Sequence, residues 1–154
     1  MKNIKKAGVV STFLISQFFF CQSVKSYKNE DFHFKVHSNT AFEVYPGEDG
    51  GTMKSFSVHF GESQNYDITL TAYYFSNKEF SEAVKKTLLK RNPELITKVT
   101  ENKDKSLVML VYSGKKLIKA YKFFKHDAFC FLLSIEEESM AENYQKYFTT
   151  FSFF

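Results

Sequence analysis

From Asp31 onward the apolar residues recur mainly at every second position, and only two windows switch to a helical period. A chain patterned this way must bury one face of many extended segments, so a sheet is its main structural object. Phe32, Phe34 and Val36 alternate with His33 and Lys35. Phe42-Glu43-Val44-Tyr45 repeats the pattern and stops at Pro46-Gly47, ahead of an acidic turn over Glu48 to Gly51. Met53 to Phe60 sets Phe56, Val58 and Phe60 on one face. After a turn at Gly61 to Asn65, Tyr66 to Phe75 sets Tyr66, Ile68, Leu70, Ala72 and Tyr74 on one face.

The first helical window follows. Ser76 and Glu79 have the spacing of a capping box, in which each side chain satisfies a backbone N–H near the other. Phe80, Ala83, Val84, Thr87 and Leu88 form one stripe. Lys85, Lys86, Lys90 and Arg91 gather toward the C-terminal end, where they suit the helix dipole, and Asn92-Pro93 stops the helix. Leu95 to Glu101, Ser106 to Tyr112, Leu117 to Lys125 and Ala128 to Ile135 then read as a four-strand meander. Both parities of these strands carry apolar residues, which predicts a sheet covered on both faces. Ser139 and Glu142 have the spacing of a second capping box, and Met140, Tyr144, Tyr147, Phe148 and Phe151 are expected on one face of a last helix.

The start of the chain has another character. Lys2, Lys5 and Lys6 precede Ala7 to Phe20, which carries no charge. A positive start and a short apolar core describe a secretion signal. The core falls short of the about 20 residues that a membrane-spanning helix needs. Cys21-Gln22-Ser23 has small residues at −3 and −1, so cleavage is expected before Val24. Lipidation at Cys21 is the alternative; it would tether the chain to a membrane by its N-terminus, the one membrane contact expected. The expected organisation is a signal over 1–23, a polar linker over 24–30 and one α+β domain over 31–154.

Without the signal, electrostatics change. Three of the 21 Lys and Arg residues and none of the 17 acidic ones lie in 1–23, so the rest has a net charge near +1. Such a domain has no bulk charge with which to hold nucleic acid, and Arg91 is its one arginine. Cys130 is its one cysteine, which excludes an internal disulfide. Placed in Ala128-Phe129-Cys130-Phe131, it is expected as a small core hydrophobe, not a nucleophile.

The remaining residues with chemistry in them are dispersed. His33 and His37 are four apart, a zinc spacing on a helix, but on a strand they stand about 13 Å apart. His59 and His126 are isolated in sequence. Glu136, Glu137 and Glu138 fit the start of a helix better than a cation site. There is no Gly-x-Ser-x-Gly and no phosphate-binding glycine loop. Lys115, Lys116, Lys119, Lys122 and Lys125 form the one basic cluster. It is read either as a solubilising strand edge or as a surface for an acidic partner or a lipid headgroup.

The element order resembles the PsbP-like fold, an antiparallel sheet flanked by helices. Phe42-Glu43-Val44-Tyr45-Pro46 is similar to that family's aromatic–x–aliphatic–Tyr–Pro opening. Tyr147-Phe148-Thr149-Thr150-Phe151-Ser152-Phe153 is similar to its aromatic close, and the helix ending at Asn92-Pro93 occupies the place of its central helix. The Trp that often follows the family's Tyr-Pro is absent, with Gly47-Glu48-Asp49-Gly50 in its place. The family includes extrinsic subunits of photosystem II, a nuclear-import factor that binds the Ran GTPase, and exported bacterial proteins of unknown role. The resemblance covers roughly residues 31 to 154 and carries over no binding residue.

The function expected is therefore that of a non-catalytic accessory protein, exported to the periplasm or beyond, that binds a protein of the envelope. The alternative is a carrier of an apolar small molecule, held in an aromatic-lined pocket between sheet and helix. A dispersed active site ranks last. No catalytic residue, cofactor or metal is implied.

Overall fold

The alternating stretches become strands in the computed structural model, which describes residues 24–49, 51, 53–60 and 68–154. The signal, Cys21 and Tyr66 lie outside the described residues. In chain order the elements are β1 (Val24–Asn29), β2 (Phe34–Asp49), β3 (Met53–Phe60), β4 (Ile68–Tyr73) and α1 (Asn77–Arg91). Then follow β5 (Ile96–Glu101), β6 (Leu107–Ser113), β7 (Lys116–His126), β8 (Phe129–Ile135), α2 (Glu138–Ala141), α3 (Tyr144–Phe148) and β9 (Phe151–Phe153). The strands make one antiparallel sheet in the order β1-β2-β3-β4-β8-β7-β6-β5, with β9 beside β2.

The expected meander is present as β5 to β8. Its tight turn at Gly114 has φ +59°, a left-handed conformation that glycine adopts without steric cost. Both faces of the sheet are covered, as the mixed parity predicts. On one face α1 lies across β6 and β7 and closes a core around Tyr73, Met109, Val111 and Phe123. On the other face α2, α3 and β9 close the larger core, built on Phe34, Val58, Leu70 and Phe131. Phe153 of β9 sets its ring 4.8 Å from Phe124 and 4.9 Å from Phe131, so its side chain packs over the turn end of the β7–β8 hairpin.

The first helix forms as its caps predict. Ser76 Oγ accepts from Glu79 N at 3.2 Å, the Glu79 carboxylate accepts from Ser76 N, and Asn92 N closes the last turn on Leu88 O. Tyr73 anchors it to the sheet: the hydroxyl donates to Asn77 Oδ1 at 2.6 Å, and the Phe80 ring packs tilted against the Tyr73 ring, 4.3 Å between centroids. Burial pushes the Tyr73 phenol far above its ordinary range, with Cys130 adding to the effect. Tyr74, placed by alternation on the buried face, is exposed; the strand ends at Tyr73 and the chain bends away.

Three expectations are corrected. Residues 24–30, read as a linker, supply strand β1, because the N-terminal half of β2 has a free edge that pairs Tyr27 with Val36 and Asn29 with Phe34. The two alternating runs on either side of residues 37–41 are one strand, β2. Pro46 stays inside it, opposite Phe56, and the register shifts only beyond, between Pro46 and Asp49. The last helix is two short turns and a strand. Ser139 Oγ faces Glu137 Oε1 at 3.4 Å and caps nothing, Asn143 leaves the helix at φ −111° and ψ 25°, and Phe151 enters β9. Its Phe-Ser-Phe alternation suits the open edge of β2, where Phe34 faces Phe153 and Val36 faces Phe151. Met140, Phe148 and Phe151 are buried all the same.

Candidate functional site

The five lysines of the basic cluster do not form one surface. Strand β7 pairs with β6 on one side and β8 on the other, so the strand-edge reading fails. Lys116 pairs with Glu138 of α2. Lys119 points to the α1 face and meets Glu136 Oε2 at 2.8 Å. Lys115 is exposed in the turn, and Lys125 stands opposite Cys130. Lys122 takes the other face and makes no ion pair among the described residues; its Nζ lies 5.4 Å from the Phe124 ring centroid.

Lys122 belongs to a groove of about 560 Å³ between the β5–β6 end of the sheet and the C-terminal turns. Val108 and Leu110 of β6 form one wall, and Tyr144, Phe148 and Phe151 the other; Thr100, Asn102, Gln145 and Thr149 add polar groups. The groove lies where α2 packs mainly on β7 and β8 and the turns of α3 stand off from β6. The turn beside it is well fixed. Asp104 Oδ1 accepts from Ser106 Oγ at 2.6 Å and from Ser106 N at 3.0 Å, and these bonds, with Lys122 farther off, hold its carboxyl below the usual range.

A second cleft, about 340 Å³, opens beside the C-terminal half of α1 and ends in Arg91, Lys119, Tyr121 and Glu136. Burial pushes the Glu136 carboxyl up. Lys119, the Tyr121 hydroxyl and Arg91 outweigh it and leave the group below its ordinary range. Burial, with the neighbouring Glu136, pushes Tyr121 far up. Glu136 is thus spent on an internal ion pair, while Glu138 pairs with Lys116. Sequence reading assigned these acids to a helix start and missed their lysine partners, which no spacing signals.

The histidines separate as their sequence positions imply, with one exception. His33 Nδ1 lies 3.2 Å and His126 Nε2 3.6 Å from the same Asp127 Oδ2. His37 is exposed and His59 is buried opposite Glu43. Among the described residues no three His, Cys, Asp or Glu are placed to hold a metal ion. Cys130 is half-buried beside the α1 core; burial pushes its thiol up against a smaller pull from Lys125.

No helix among the described residues is long and apolar enough to cross a membrane. No family model matches the chain. No curated protein matches it. Among solved structures it is similar to the solution structure of cyanobacterial PsbP (CyanoP) from Synechocystis sp. PCC 6803, with 10% identity over 98% of this chain and 99% of that one and a TM-score of 0.47.

Proposed function

We propose that this chain is an exported, non-catalytic accessory module of the cell envelope that binds a partner protein along the free edge of β5. The carrying observation is the state of that edge. Among the described residues strand β5 pairs with β6 alone, in unbroken register, and Ile96 and Val99 are 50% and 42% exposed. Sheet edges are usually blunted by bulges, proline or cover, since their free N–H and C=O groups template a further strand. The opposite edge, β1, carries such an irregularity between Val24 and Ser26. An edge left regular suits strand addition by a partner segment. Export rests on the Lys2, Lys5 and Lys6 flank and the uncharged stretch to Phe20.

The test is a photo-crosslinking residue at Val99, with a control at Lys25, in native envelopes. A discrete adduct from Val99 and none from Lys25 supports the reading. Equal labelling from both positions, or none, sinks it.

A further inference from the structure

We propose that the groove beside α3 binds the monoanion of a long-chain aliphatic carboxylic acid, with its head at Lys122 and its tail against Val108, Leu110, Phe148 and Phe151. This goes beyond the edge-binding reading and does not depend on it.

The first support is charge. Of the β7 lysines, Lys116 and Lys119 each pair with a glutamate, and Lys122 makes no ion pair among the described residues. It is nonetheless half-buried, between an aromatic ring and the groove. Asp104 feels the Lys122 charge from farther off but makes no ion pair with it. A half-buried cation with no carboxylate directly paired to it favours an incoming anion.

The second support is shape and lining. A volume of about 560 Å³ lies within the usual small-ligand range. The lining is half apolar, from Val108, Leu110, Tyr144, Phe148 and Phe151, and half polar, Lys122 included. Such a lining suits an apolar body with one polar end. A single lysine matches a single charge. A phosphate monoester carries about −1.5 to −2 at neutral pH and would call for more cations than the groove offers.

The test titrates oleate, below its micelle concentration, into the protein recovered after export, with binding read by calorimetry. Lys122→Met is expected to weaken oleate binding about tenfold or more, and Lys125→Met to leave it within about twofold, because only Lys122 can make a charge-assisted hydrogen bond to the carboxylate in the groove. Oleyl alcohol is expected to bind wild type as weakly as oleate binds Lys122→Met. If Lys122→Met loses its folded circular-dichroism signal, Thr100→Glu at the exposed rim takes its place and should repel oleate while sparing oleyl alcohol. The proposal falls if oleate gives no binding heat, if both lysine variants lose equally, or if the alcohol binds as tightly as the acid.

Discussion

The Tyr121 hydroxyl donates to Glu136 Oε1 at 3.0 Å while Lys119 holds Oε2 at 2.8 Å, so one carboxylate ties the middle of β7 to the residue just past the end of β8. Its depressed folded pKa fixes a sign. The unfolded chain takes up the proton first as pH falls. The pair's contribution is therefore complete above the ordinary glutamate value of about 4.3, and it fades as pH drops through the lower folded value. The pair is partly exposed, so Glu136→Gln should cost under about 1 kcal/mol at pH 7. Urea unfolding at pH 7 and pH 3 checks this; a cost as large at pH 3 would contradict it.

Ser76→Ala should destabilise the chain by about 1 kcal/mol, since it removes the hydroxyl oxygen that accepts from Glu79 N and leaves only the Ser76 backbone N–H on the Glu79 carboxylate. Glu79, held low by the Ser76 hydroxyl and amide, makes the cap sensitive to acid: its contribution is lost as pH falls through the carboxylate range. Thermal unfolding with helix-sensitive circular dichroism reads the change. Ser76→Asp, which keeps a capping oxygen, should recover most of it.

Much of this was legible in the sequence, and the reasons are local. Ser76, Glu79 and Asn92 define α1 because a cap is satisfied within a few residues of itself. The meander was readable because its turns carry their own signals, Gly114 above all. What was not readable depends on distant partners. Phe151-Ser152-Phe153 has one pattern for a helix tail and another for a strand, and only the open edge of β2 decides. The same holds for residues 24–30, whose polar composition hid a strand until Phe34 and Val36 offered it hydrogen bonds. The groove was hidden too, because Val108 and Leu110 meet Tyr144 and Phe148 only in the folded chain, and no motif joins them.

Gly47→Ala is expected to cost about 1–3 kcal/mol, the usual range for overpacking. A Cβ there would lie 2.2 Å from Ser55 Oγ and 3.1 Å from the Ser55 carbonyl oxygen across the β2–β3 pair. Combining it with Ser55→Gly removes the nearest obstacle, so the double variant should be more stable than the sum of the single changes. Additive losses in denaturant titrations would refute the clash.

Cys130 should react sluggishly. With burial holding its thiol in the protonated form, the folded chain at pH 8 should take a thiol reagent at least about tenfold more slowly than the urea-unfolded chain. Removing the Lys125 charge with Lys125→Met should slow it further. Stopped-flow absorbance gives both rates, and a folded rate matching the unfolded one would show that the thiol is free.

Strand β2 pairs with β1 from before it, β3 from after it and β9 from the far end of the domain. A chain delivered from its N-terminus therefore presents Phe34 to Val36 long before Phe151 to Phe153 arrive to cover them. During that interval an apolar edge waits without its last neighbour, and contacts of such sequence separation form slowly. Whatever handles this polypeptide during synthesis must keep that edge apart from other chains until Phe151 to Phe153 are delivered.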